Sequence, residues 1–271
     1  MSDLVFQNHA DPNLIDAAAQ HLKDEGWAVI PNALSPFETE KVREGLWKVA
    51  NELVGSGELY VSFLDPNASN IRVHYLVEHG KIFRDLIEHP LAVEMVQRAL
   101  GDKWIISNFT ANIARPGSGS MGLHSDQSLV MLEPWLIDWA LNVIWCVDDV
   151  YLENGATLFI PGSNKWTSKA DIPGNVREFL RPFEAKAGSI VLMNGRVWHT
   201  SGSNITKDKD RAMMFGFYTK LYLRQQVNWT ARLSDDLKQE LSLELANRLG
   251  LNVQANDTVT ELKYLDLEHP A

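Results

Sequence analysis

Five short, β-rich segments follow one another from about residue 103: "KWIISNFTANIARPG", "DWALNVIWCVDDV", "GATLFIPGS", "AGSIVLMNG" and "DRAMMFGFYTKLYL". Gly, Pro, Asn or Asp separates each from the next, and no helical pattern intervenes. Strands in uninterrupted succession do not form an alternating βαβ sheet; they favour antiparallel sheets packed face to face. The chain is therefore read as mainly β with helical flanks, around a double-stranded β-helix (jelly-roll, cupin-like) core. The flanks are legible from their caps. Residues 12 to 25 carry Leu14, Ala18 and Leu22 at helical spacing behind Asp11 and Pro12. Ser35, Pro36 and Glu38 make a capping box ahead of a stripe of Val42, Leu46, Val49 and Leu53. "PLAVEMVQRALG" is a further helix closed by Gly101, and "SDDLKQELSLELANRLG" opens another with Ser234 or Asp235 as cap. We expect one domain over 1–271: a helical N-terminal flank and substrate loop (1–102), a jelly-roll core (103–225) and a helical C-terminal segment (226–271). Residues 57–78 have no clean period, and residues 163–186 form a long polar insertion between two strands.

Charge and composition remove several function classes. The 271 residues carry a net charge of −10, which argues against nucleic acid and anionic membranes as partners. Cys146 is the one cysteine, so no internal disulfide exists, and with no signal-peptide pattern a cytoplasmic location is expected. No apolar run reaches spanning length. Nothing here chooses between a monomer and a homodimer.

The candidate chemistry begins in "GSGSMGLHSDQSLVMLE", where His124 and Asp126 stand two positions apart. On an extended strand such a pair points to one face, a nitrogen ligand beside an oxygen ligand. The same spacing recurs in His9-Ala10-Asp11, where Asp11 reads as a helix N-cap and His9 as a solvated residue. A third ligand is therefore needed. His199 lies 75 residues on (199 − 124) at a strand–turn boundary, and Arg211 follows twelve residues later (211 − 199), opening an apolar strand. Two histidines and a carboxylate can occupy one face of iron(II) and leave positions open, whereas zinc usually seeks tetrahedral closure. A guanidinium suits bidentate binding of a carboxylate. The other histidines, His21, His74, His79, His89 and His269, read as surface or capping residues.

An H-x-D pair, a distal H and an R about a dozen residues on resemble the iron(II)/2-oxoglutarate dioxygenases. Within them, "LHSDQS", "LNVIWCVDDVYLENGATLFIPGSN" and "AGSIVLMNGRVWHTSGSNITKDKDRAMMFGFY" are similar to the phytanoyl-CoA dioxygenase family, over roughly residues 104–220. The resemblance implies that His124, Asp126 and His199 ligate Fe(II). It implies that Arg211 binds the distal carboxylate of 2-oxoglutarate with help from Thr157 and Ser201, that Trp145 lies beside the cosubstrate, and that Gln127 orients Asp126 or touches substrate. Dioxygen is the implied oxidant, 2-oxoglutarate leaves as succinate and carbon dioxide, and an unactivated C–H is hydroxylated or desaturated.

For the substrate, residues 57–80 hold Arg72 against Glu58, Asp65 and Glu78, with apolar Tyr60, Phe63, Ile71, Val73 and Tyr75. This favours a largely apolar, uncharged small molecule, a natural product, with Phe63 and Tyr75 as contacts and Trp135, Trp139 and Trp166 as further walls. An acyl-CoA substrate, a non-catalytic jelly-roll binding protein and a zinc hydrolase are the alternatives.

Overall fold

The computed structural model describes residues 5–57, 69–129 and 131–252. Helix α1 (Pro12–Glu25) starts on Asp11, whose side chain accepts from Asn13 N–H, and buries Ile15, Ala18 and Leu22. Leu14 turns outward and is largely exposed. Strand β1 (Trp27–Ile30) follows, then α2 (Pro36–Ser56) with its capping box formed and Val42, Leu46 and Val49 inward. Next come β2 (Asn70–Val73), α3 (Lys81–Ile87) and α4 (Pro90–Leu100). Then come β3 (Trp104–Ala114), β4 (Ala140–Cys146), β5 (Leu158–Phe159), β6 (Arg181–Pro182), β7 (Ile190–Asn194), β8 (His199–Thr200) and β9 (Arg211–Lys220). The chain continues through α5 (Trp229–Arg232), α6 (Asp235–Glu240) and α7 (Leu243–Arg248).

Two sheets form. The larger has the order β1-β7-β4-β9-β3-β2, antiparallel throughout, and the smaller the order β6-β5-β8. The helices cover one face of the large sheet. There Val42, Leu46, Phe83, Leu91 and Met95 pack against Phe109, Ile113, Val143, Leu192 and Met214. The other face looks toward the small sheet, where Ile144, Val191 and Met213 meet Phe159 and Phe183. This is the jelly-roll arrangement.

The structure departs from the local sequence pattern in three places. The N-terminal stretch read as helix and loop contributes β1 and β2 to opposite edges of the large sheet. Four-residue strands are too short to display a period. The C-terminal helix breaks at Leu241, and Ser242 recaps α7 by accepting from Leu245 N–H at 2.9 Å. The insertion at 163–186 has an apolar underside: Trp166, Ile172, Val176 and Leu180 pack on Trp135, Ile160 and Trp198.

An irregularity in β3 decides which of its side chains turn away from the helices. Trp104 and Ile106 face the helices, and so do Phe109, Ala111 and Ile113. The parity changes because β3 skips a position against β9: Ile106 pairs with Tyr218 and Asn108 with Phe217. Ser107 is the extra residue of this bulge. It is held by the C-terminal segment, its hydroxyl accepting from Gln226 N–H at 2.9 Å and its carbonyl from Val227 N–H at 3.1 Å.

Candidate active site

His124 and His199 stand directly opposite each other across an antiparallel bridge, with both backbone hydrogen bonds made, at 3.0 and 2.8 Å. Their rings lie 4.4 Å apart, centroid to centroid. His124 Nδ1–H donates to the Gly122 carbonyl at 2.8 Å and His199 Nδ1–H to the Val197 carbonyl at 3.0 Å. These bonds fix the tautomer and leave each Nε2 with a free lone pair. Both Nε2 atoms face Asp126 Oδ1, at 3.9 and 3.8 Å, and the three ligand atoms lie within 4.8 Å of one another. Burial holds His199 below its ordinary pKa, against the opposing pull of Asp126, which favours the neutral ring a metal ligand needs. Asp126 is itself oriented: Asn142 Nδ2–H donates to its Oδ2 at 3.2 Å, turning Oδ1 to the histidines. Two imidazole nitrogens and one carboxylate oxygen converging in this way are the donor set of an open iron(II) site.

Arg211 supplies a second test of fit. It is 1% exposed, and burial pulls its guanidinium down to about 10, so it stays cationic at neutral pH. Nη2–H donates to the Gly155 carbonyl at 2.6 Å, Nη1–H lies 3.5 Å from Asn112 Oδ1, and Nε–H has no partner among the described residues. The nearby Asp148 is committed to Arg43 at 2.8 Å and to Ala212 N–H at 2.9 Å. A buried cation without a carboxylate partner is costly, and a bound dianion would relieve it. Gly155 makes the close approach to Arg211 possible. Its φ is +88°, and a Cβ there would sit 3.2 Å from Gly202 O and 3.4 Å from Arg211 Nη2.

Triad and arginine line one cavity of about 260 Å³, together with Thr157 and Ser201. Ser201 Oγ accepts from Met121 N–H at 2.9 Å and keeps its own proton to donate. The cavity has two kinds of wall. Asn70, Arg72 and His74, with Asn108, Thr110 and Asn112, bring polar groups from β2, the residue after it and β3; Ile144, Met193, Met213, Phe215 and Phe217 bring apolar ones from β4, β7 and β9.

Several expected site residues lie elsewhere. Trp145 follows Ile144 on β4 and so faces the opposite way; it is fully buried against His89, ring centroids 5.0 Å apart. Gln127 spans two backbone groups, its Nε2–H donating to Ile137 O at 2.9 Å and its Oε1 accepting from Trp139 N–H at 3.0 Å, and it does not line the cavity. Tyr75 shares the parity of Ile71 and Val73, which are buried on the core side; its ring packs edge-on to Trp229 and beneath Arg232. Trp135, Trp139 and Trp166 are likewise off the cavity. Phe63, Tyr60, Glu58 and Asp65 lie outside the described residues. Of the remaining histidines, His89 caps α4 from full burial, accepting from Leu91 N–H, and burial brings it down to about 4. His74 lines the cavity instead of lying on the surface. Sequence reasoning misses Asn142 and the Asn108–Thr110–Asn112 wall, although both leave a signal. Asn142 is the polar residue of an otherwise apolar β4, and "NFTANI" alternates polar and apolar with period two.

Comparison with known proteins points the same way. The family model described as phytanoyl-CoA dioxygenase (PhyH) matches residues 22–213. The dioxygenase af480 of Aspergillus fumigatus is 46% identical over 260 residues, covering 96% of this chain and 84% of that protein. The Fe(II)/2-oxoglutarate-dependent dioxygenase nvfF of Aspergillus novofumigatus is 28% identical, covering 76% and 71%. Among solved structures, the non-heme alpha-ketoglutarate-dependent carbocyclase SnoK from nogalamycin biosynthesis superposes with a TM-score of 0.67 at 20% identity, over 84% of this chain and 94% of that one. By its sequence, the chain belongs to the phytanoyl-CoA dioxygenase family.

Proposed function

We propose that this enzyme oxidises an unactivated C–H bond of a small natural product that offers one apolar and one hydrogen-bonding face. It is a dioxygenase that uses iron(II), 2-oxoglutarate and dioxygen. The observation that most supports the reading is Arg211, a buried guanidinium without a carboxylate partner among the described residues, in the cavity that also holds His124, Asp126 and His199. Those three residues would hold the iron. Arg211 would take the distal carboxylate of 2-oxoglutarate, with Thr157 and Ser201 offering hydroxyl donors. Bound there, iron(II) supplies dioxygen activation, with 2-oxoglutarate as reductant, leaving as succinate and carbon dioxide.

The chain's own residues prepare that chemistry. The carbonyls of Gly122 and Val197 keep both imidazole protons on Nδ1. Asn142 holds the Asp126 carboxylate in one orientation. The two walls orient the substrate and exclude water from the reacting face. The polar wall from β2 and β3 stands where the sequence predicts that Ile71, Val73 and Tyr75 help make a largely apolar pocket. No helix among the described residues is long and apolar enough to cross a membrane.

The test is succinate release from protein reconstituted anaerobically with iron(II), then given 2-oxoglutarate and air. A screen of candidate substrates should find compounds that stimulate it. Protein that binds iron yet releases no succinate with any compound would refute the reading.

A further inference from the structure

Three of the seven methionines, Met121, Met193 and Met213, line the cavity that contains the triad. Register places two of them beside its working groups. Met193 on β7 pairs with Asn142, which holds Asp126. Met213 is two positions from Arg211 on β9, hence on the same face. A thioether carries a lone pair that accepts an oxygen atom readily, which makes it an easier target than an unactivated C–H bond. Packing in a natural core does not explain the pattern fully, because Leu or Ile would fill the same walls without an oxidisable atom.

We propose that Met193 and Met213 are self-oxidation sites, converted to the sulfoxide when the enzyme turns over with no substrate in the cavity. This rests on the iron(II)/2-oxoglutarate reading above. The balance closes without a further reagent. One atom of dioxygen enters the new carboxylate of succinate, and the other forms the S=O bond. Oxidative decarboxylation of 2-oxoglutarate supplies one electron pair and the sulfur lone pair the other; carbon dioxide leaves, and no proton is consumed. Met121 is the poorer target, because its sulfur accepts a hydrogen bond from Arg72 Nη2–H at 3.3 Å. A sulfoxide on either wall turns a soft apolar contact into a polar one, so idle turnover would progressively rewrite the cavity's apolar side.

The molecule contains its own controls. Met214 is adjacent to Met213 and equally buried, 0% against 1% exposed, but faces the helical core, as does Met95. Met131 is only partly buried and does not line the cavity. Oxidation by diffusing peroxide would favour Met131; oxidation from within the cavity would favour Met213 and Met193 and spare Met214.

The experiment incubates iron-loaded protein with 2-oxoglutarate and isotopically heavy dioxygen, without substrate. Succinate is followed, and tandem mass spectrometry maps added oxygen. We expect heavy oxygen on Met213 and Met193 at about tenfold or more over Met131 and Met214. The Asp126→Ala protein in the same mixture should remain unlabelled at both. Succinate release with the cavity thioethers unmodified would overturn the proposal while leaving the enzyme reading intact. So would label on Phe215 or Phe217 instead, or label spread evenly over Met131 and Met214. Absence of succinate under every condition would remove the underlying reading, and the proposal with it.

Discussion

His9-Ala10-Asp11 and His124-Ser125-Asp126 share one pattern, and the protein uses them in opposite ways. At the first, each side chain finds its own partner. Asp11 accepts from Asn13 N–H at 2.8 Å and starts α1, while His9 Nε2 bonds Glu38 Oε2 at 2.8 Å, so His9 is tied down and not merely solvated. At the second, the partners are all taken up on the side away from the shared face. Both histidines spend Nδ1 on carbonyls, and Asp126 spends Oδ2 on Asn142, which leaves three ligand atoms facing one another. Spacing along the chain does not distinguish the two. The difference is whether the surrounding fold satisfies the polar atoms or aims them.

The contrast can be broken from either side. Replacing His124, Asp126 or His199 by Ala should abolish succinate formation and anaerobic iron binding, whereas His9→Ala and Asp11→Ala should leave both intact. A comparable loss at the N-terminal pair would sink the assignment. Asn142→Ala removes the aim of Asp126 and keeps the ligands, so iron affinity should fall about 10–100-fold in an anaerobic titration. An unchanged affinity would mean that Asp126 orients itself. Arg211→Lys keeps the charge and loses the planar fork; we expect the KM for 2-oxoglutarate to rise about tenfold, or about 1.4 kcal/mol. Asp11→Ala should cost only about 1 kcal/mol in denaturant melts, as for other lost helix caps. The smallest effect is pH-dependent. Burial would raise Glu38, but hydrogen bonds from Ser35 and Gln7 and the charge of His9 bring it below its ordinary value. Its stabilisation is therefore complete above the ordinary carboxylate range and fades as pH falls through the lowered pKa. Glu38→Gln should melt earlier than the parent near neutrality, with the gap closing in acid. A constant gap would exclude this ionic contribution.

What the sequence discloses depends on how local each determinant is. Caps and long amphipathic stripes are written within a few residues, so α1, α2 and α4 are readable, as are the longer strands. The metal ligands are readable because H-x-D and the distal His and Arg keep a family spacing. The walls are not, because a strand's face is set by its neighbours and not by its composition. Ile71, Val73 and Tyr75 look like a pocket until β3 is seen to pair with β2 and place Asn70, Arg72 and His74 inward. Trp145 is one residue out of phase for the same reason. Gln127 looks like a ligand neighbour, yet its amide closes the loop that leads to β4, a contact ten and twelve residues away that no local pattern records.

The bulge at Ser107 absorbs an extra residue that would otherwise act on β3 much as a single-base insertion acts on a reading frame. Upstream of it, the even-numbered residues Trp104 and Ile106 face the helices; downstream, the odd-numbered Phe109, Ala111 and Ile113 do. Removing that one residue would restore a single frame along the strand. It would bring Asn108 directly after Ile106 in the pairing it already has, and leave Asn108, Thr110 and Asn112 facing the cavity and Phe109, Ala111 and Ile113 facing the helices. The exchange of wall chemistry would come instead from pairing Ser107 in register, which would turn Asn108, Thr110 and Asn112 into the apolar core; the bulge is what prevents it. Relatives that lose this one residue would be expected to keep the same wall and to give up only the anchor that Ser107 offers Gln226 and Val227.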